Sequence, residues 1–240
     1  MGLAEAFNDA LYDNLQVYAA WFPVVNTIKI GDFGVIEDGV FRPLGNIAKF
    51  GINPTTAPGA EAEIDFVSDG TTITKFVAGA KVDKLPPVAD LDAKLEIEFK
   101  RENSCLLKAK FSVLEMQDVH GVAKRLKVVD EWENNFKVVS STYTGDKCVI
   151  VACRDAGTKV SFSAKANILQ QLELGKVEIS PSFESSSGAC FKSIGATGVV
   201  GIRLFKLGFF GGVSVLSKLD RQKAPKVEVD ELKGKLESDW

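Results

Sequence analysis

Four segments alternate apolar and polar residues over the same length: 74–84 (TKFVAGAKVDK), 91–101 (LDAKLEIEFKR), 158–168 (TKVSFSAKANI) and 175–185 (GKVEISPSFES). The apolar series are Phe76, Ala78, Ala80 and Val82; Leu91, Ala93, Leu95, Ile97 and Phe99; Val160, Phe162, Ala164, Ala166 and Ile168; and Val177, Ile179 and Phe183. A period of two residues is that of a β-strand, whose side chains point to opposite faces in turn. An antiparallel sheet with one face on a core and one in water produces this pattern. So does a tilted strand crossing a bilayer, which needs ~9–11 residues of this kind. Alternation alone does not choose between the two.

Composition narrows the function classes. Net charge is -3, so no global basic field calls for nucleic acid. The single histidine, His120, argues against a histidine-rich metal site or a Ser-His triad. Cys105, Cys148, Cys153 and Cys190 form no C-x-x-C pair and no zinc spacing. They read as buried free thiols in a reducing compartment, or as redox candidates that include a regulatory disulfide. The N-terminus lacks the basic start of a signal peptide. The most apolar run, 194–217, carries Arg203, Lys206 and several glycines, and reads as two buried strands, 198–207 and 209–216, rather than a membrane helix. A cytoplasmic location is the expectation.

Residues 3–19 predict an amphipathic helix, with Leu3, Phe7, Ala10, Leu11, Leu15 and Tyr18 on one stripe and Pro23 ending it. A hairpin is expected around Glu37-Asp38-Gly39 and a loop over 51–60. The odd-numbered apolar series resumes at Cys105, Leu107, Ala109, Phe111 and Val113. Leu114, Val119, Val122, Leu126 and Val129 suggest a helix within 114–133, and a second hairpin is read around Thr144-Gly145-Asp146. Residues 85–90 (LPPVAD) are a turn, and 169–174 a connection. The fold class expected is α+β: a large twisted antiparallel sheet, an N-terminal amphipathic helix and a few further helices.

No catalytic constellation emerges. The Asp-Phe-Gly at 32–34 has none of the companion motifs of a kinase, and there is no nucleophile elbow, phosphate loop or dinucleotide fingerprint. The carboxylates of 92–102 sit in an alternating strand, which a solvated face explains. The chain reads as a non-enzyme without a cofactor.

Taken in order, WFPVV, then LKAKFSVLEMQDVHGVAKRL, then FKVVSSTYTGDKCVIVACRDAG, TKVSFSAKA, GKVEISPSFESSSG and GVVGIRLFKLGF, the chain resembles the pore-forming domain of the gasdermins. The resemblance spans 3–210 and is fullest over 71–113 and 132–208. It implies a soluble, cytoplasmic monomer that assembles at the cell membrane into a large ring, a homo-oligomeric β-barrel, permeabilising membranes in lytic cell death or defence. Two pairs of segments would refold from shorter strands and helices into membrane hairpins. Their apolar series would face lipid, and Lys75, Lys81, Asp83, Lys94, Glu96, Lys165 and Glu178 the lumen. Members often carry basic residues on the first helix, yet residues 1–28 hold no Lys or Arg. Contact with lipid headgroups then falls to Lys29, Arg42, Lys49, Lys124, Arg125 and Lys127. The length matches the short bacterial, fungal and early-animal forms without the large inhibitory domain. Residues 1–217 would be the pore-forming domain. The charged tail 218–240, with Val229, Leu232, Leu236 and Trp240, would be its autoinhibitory segment. An activating protease or a related partner subunit is an expected partner. The rival reading is a β-rich binding module that never inserts.

Overall fold

The computed structural model describes residues 2–87, 90–173, 178, 181–186 and 188–208, with the backbone of 213–215. The expected class holds: the protein is α+β, with an N-terminal helix, two antiparallel sheets and few other helices. In chain order the elements are α1 (Leu3–Leu15), β1 (Tyr18–Ala19), β2 (Asp32–Glu37), β3 (Val40–Asn46), a 3-10 turn (Ile47–Phe50), β4 (Thr56–Pro58), β5 (Ala62–Val67), β6 (Thr71–Val77), β7 (Ala80–Val82), β8 (Asp92–Phe99), β9 (Ser104–Met116), α2 (Val119–Leu126), β10 (Lys137–Cys153), β11 (Thr158–Lys165), α3 (Ala166–Glu173), β12 (Ser182–Ser185), β13 (Cys190–Leu207) and β14 (Val213–Val215).

The larger sheet is built on β10. Its run CVIVAC is apolar at every position because both faces are buried. Cys148, Ile150 and Ala152 face α1, joining Phe7, Leu11, Ile64, Leu107, Phe111 and Val200 in one core. Val149, Val151 and Cys153 face the smaller sheet. β13 pairs along the whole of β10; on the other side β2 and then β9 pair with it, and β5 pairs with β9. The smaller sheet has the order β12-β11-β8-β6-β7. It stacks on the larger one, giving three layers: α1, sheet, sheet. α2 covers one end through Val122, Ala123 and Leu126, against Phe33, Ile47, Phe136 and Phe205.

Several local expectations are corrected. The first helix stops at Leu15 because Gln16 turns left-handed (φ 57°), and Tyr18–Ala19 then pairs with β13. Within 51–60, Thr56–Pro58 adds a short strand to β9. Leu114 belongs to β9, so the second helix is only Val119–Leu126. The hairpin expected around Gly145 is a bulge in one continuous strand. There Lys147 takes φ 48°, Thr197 Oγ1 donates to Asp146 at 2.9 Å, and Lys147 N donates to Thr197 Oγ1 at 3.1 Å. The two strands read over 198–216 are the end of β13 and the short β14. The hairpin at Glu37-Asp38-Gly39 is present, with both Asp38 (φ 49°) and Gly39 (φ 73°) left-handed as a tight hairpin turn requires.

Phe162 is fully buried between the two sheets. Phe162→Ala should therefore lower unfolding free energy by ~3–5 kcal/mol, whereas Leu91→Ala, at an exposed site, should stay within ~0.5 kcal/mol. Chemical denaturation of the two variants beside the parent protein measures both.

Candidate membrane-inserting segments

The described strands of the four alternating segments lie together in the smaller sheet. β8 and β11 are its centre, paired antiparallel with Ala93 opposite Ala164, Leu95 opposite Phe162 and Ile97 opposite Val160. Ala93, Leu95, Ile97, Phe99, Val160 and Phe162 are buried against Leu106, Val149 and Val151 of the larger sheet. Phe183 lies opposite Phe162, their rings 5.3 Å apart. The outer face is polar, with Lys94 and Glu96 on β8 facing Ser163 and Ser161 on β11.

The structure corrects the segments' extents and one parity. Segment 74–84 is not one strand: Ala78 (φ 48°) and Gly79 (φ 82°) turn it into the β6–β7 hairpin, with Val77 opposite Ala80 and Phe76 opposite Lys81. Phe76, Ala78, Ala80 and Val82 thus share no face. Within β6 the assignment is inverted. Val77 and Lys75 lie opposite Ala93 and Leu95 on the core side, and Phe76 lies opposite Lys94 on the outer side. Leu91 falls outside β8 and is 48% exposed. Segment 158–168 ends as a strand at Lys165. Ala166 and Ile168 belong to α3, which buries Ala166, Leu169 and Leu172 over the sheet. The fourth segment retains only Ser182–Ser185, starting beyond Pro181, which has no amide donor for a ladder. Val177 and Ile179 lie outside the described residues, as do Val229, Leu232, Leu236 and Trp240 of the tail.

α3 is held at its C-terminal end. The Lys75 ammonium pairs with the Glu173 carboxylate, these side chains being 21% and 25% exposed. Lys108 of β9 donates to the Glu173 carbonyl at 3.0 Å and to Asp65 at 2.9 Å. Both cations sit where a helix presents its unpaired carbonyls and the negative end of its dipole.

Of the four cysteines, Cys153 and Cys190 form a disulfide, and Cys105 and Cys148 are buried free thiols. The disulfide joins facing residues of β10 and β13, so β11, α3 and β12 lie within its loop. Burial pushes the Cys105 thiol up to about 11 against the opposing hydrogen bond from Ser68. Burial likewise raises Cys148 to about 11. Both thiols lie in the core beneath α1.

The cationic candidates are scattered. Arg42 lies 3.9 Å from Glu37. Lys49 lies 3.8 Å from Glu131 and over the Phe33 and Phe50 rings, at 4.9 and 4.5 Å. Lys29 is exposed beside the first hairpin. Lys124, Arg125 and Lys127 do converge, exposed at the end of α2 next to Val128, which is 81% exposed. Sequence reasoning missed a second apolar surface. In the loop after β1, Phe22 is 52% and Val25 69% exposed, while Trp21 packs on Phe7 and Phe191. The loop is fixed by Val24 N donating to Val199 O at 2.9 Å and by Asn26 Nδ2 donating to Ala20 O and Val199 O. It approaches β13 so closely that a Cβ on Gly198 would sit 2.3 Å from the Val24 carbonyl. The signal available was Trp21-Phe22 followed by proline, an aromatic pair with no periodic element to bury it. Among the described residues no helix is long and apolar enough to cross a membrane.

At pH 8 a thiol titrating near 11 is ~0.1% thiolate. Alkylation of the native protein should therefore leave Cys105 and Cys148 unmodified, at least ~100-fold slower than in denaturant. Peptide mass spectrometry without reductant should recover Cys153 and Cys190 linked.

Among solved structures, the gasdermin A3 membrane pore determined by cryo-EM is similar to this chain, over 91% of this chain and 95% of that one, with a TM-score of 0.39 and 7% identity. No protein-family model matches the chain. No curated protein matches it.

Proposed function

We propose that this protein forms membrane pores by extending two hairpins, 74–101 and 158–185, out of the larger sheet. The observation that carries this reading is the register of that sheet. The β5/β9 ladder runs from Ala62 opposite Phe111 to Val67 opposite Leu106. Continued without a bulge, it sets Phe76 opposite Ile97, Ala78 opposite Leu95, Ala80 opposite Ala93 and Val82 opposite Leu91. The same continuation sets Lys75 opposite Glu98 and Lys81 opposite Asp92, with Pro86-Pro87 as the turn. The β10/β13 ladder ends with Cys153 opposite Cys190, and Arg154 N donates to Ala189 O at 3.1 Å. Its continuation sets Val160 opposite Phe183, Ala164 opposite Ile179 and Ala166 opposite Val177. Lys159 then faces Glu184, and Lys165 faces Glu178.

Both continuations put the apolar series of all four segments on one face, and on the other face they set Lys75, Lys81, Lys159 and Lys165 across from carboxylates, with Asp83 opposite Asp90 near the first turn. That apolar face carries the parity of Ile64, Leu107 and Ile150, the residues beneath α1. A strand with one apolar and one polar face suits lipid on one side and a water-filled lumen on the other. One chain supplies four such strands, whereas the smallest closed barrels use about eight, so closure requires copies of the chain. The exposed Phe22 and Val25 and the cations Lys124, Arg125 and Lys127 suit a first contact with an anionic interface. On this reading the protein waits in the cytoplasm and acts at the cell membrane.

Ala80 separates this function from a binding module that never inserts. It is exposed in the structure, near the middle of the proposed hairpin and on its lipid face. An arginine there costs ~2–4 kcal/mol at the bilayer midplane. The parent protein should release dye from phosphatidylserine-containing vesicles. Ala80→Arg should keep the parent's melting temperature and lose most of that release. Intact vesicles with the parent, or full release with the folded variant, would count against insertion.

A further inference from the structure

The smaller sheet is where the two proposed hairpins touch each other, and several ion pairs span that boundary. Lys75 of the first pairs with Glu173 of the second. Lys165 of the second lies 3.0 Å from Asp92 and 3.7 Å from Asp90 of the first. Lys159 of the second lies 3.9 Å from Glu98 of the first. The Lys75–Glu173 pair is the least exposed of these, and so the least screened by solvent and salt.

We propose that these pairs are a latch whose lysines change partners when the hairpins extend. This rests on the pore reading and names how the site is held shut. In the continued ladders Lys75 leaves Glu173 for Glu98, Lys159 leaves Glu98 for Glu184, and Lys165 leaves Asp92 for Glu178, which itself leaves Lys147 of β10, 3.3 Å away in the closed form. Asp92, once released, receives Lys81. Lys75, Lys159 and Lys165 thus each move from a cross-hairpin pair to a pair within one hairpin, so these lysines are paired in either arrangement and unpaired in a half-opened one. Two carboxylates lose a lysine without gaining another: Asp90, which comes opposite Asp83, and Glu173. Extension places Glu173 at the tip, so its carboxylate favours only the closed form. Lys108, bonded to the Glu173 carbonyl and to Asp65, ties the closed latch to β9, whose ladder with β5 the proposed extension keeps. Glu184 is the converse group. It is exposed and forms no ion pair among the described residues, and gains a partner only on extension.

Glu173→Gln and Glu184→Gln therefore act in opposite directions. In the absence of membranes, Glu173→Gln should raise the amide exchange rate of residues 166–173 about threefold, while Glu184→Gln leaves it unchanged. On phosphatidylcholine vesicles doped with phosphatidylserine, Glu173→Gln should shorten the lag before dye release and Glu184→Gln lengthen it, each about threefold. Unchanged exchange in Glu173→Gln, or a shift of both lags in the same direction, overturns the latch. Faster exchange in Glu173→Gln with no release from any vesicle, by the parent or either variant, leaves the closed latch standing and removes the pore reading.

Discussion

The burial of β10 on both faces is the constraint on which the rest depends. A strand without a wet face must be covered twice, and the two covers differ in kind. On one side α1 packs Phe7 and Leu11 onto Ile150 and Ala152. On the other, the smaller sheet packs Leu95, Ile97 and Phe162 onto Val149 and Val151. The second cover continues strands of the larger sheet: β5 runs into β6, β8 into β9, β10 into β11 and β12 into β13. The ladders on β10 and β9 are therefore a fixed frame, and the smaller sheet is a set of segments folded back from its end.

Register separates the observed arrangement from the proposed extended one. In the structure Ala93 faces Val77, while the continued ladder puts it opposite Ala80, three residues away. An odd shift reverses the faces of a strand, which is why Lys75 points to the core here and Phe76 away from it. In the second hairpin Phe162 faces Phe183, and the continued ladder puts it opposite Pro181, two residues away. An even shift keeps the faces, so Val160 and Phe162 stay apolar-side in both. On the proposed reading, lipid would stand in for the larger sheet against Leu95, Ile97, Val160 and Phe162. Ladder hydrogen bonds, ion pairs and the ordering of chain would also enter the balance. Pro181 weighs on the closed side. In the alternation set by Arg154 and Ala189, it occupies a position where an amide should donate to Phe162.

Strand periodicity was legible where it met a single environment. The odd-numbered series from Ala93 to Phe99 and from Cys105 to Val113 is buried as read, the first against the larger sheet and the second under α1. It failed where one stretch satisfies two templates. Ala166 ends the alternation of β11 and also begins the spacing Ala166, Leu169, Leu172 of a covered helix. The turn at Ala78-Gly79 hid within an alternating run because alanine rarely takes positive φ. The Gly145-Asp146 signal is genuine turn chemistry, but β9 and β13 pair on either side of it and absorb it as a bulge. The pairing of Lys75 with Glu173 was out of reach, since it depends on a strand reversal and a helix that local patterns did not reveal.

The same frame decides what the disulfide does. A bond across two hairpins, or between hairpin and core, would hold the smaller sheet closed and make reduction a trigger. Cys153–Cys190 instead joins facing residues of β10 and β13, a pair common to the observed and the extended ladders. Closing that loop restricts the unfolded chain. It also pins the register from which the second hairpin departs, and a register fixed at its base leaves few ways for the strands beyond it to pair. On the pore reading, the bond would set where the hairpin starts, and the contacts that α3 and β11 make with the first hairpin would hold it closed.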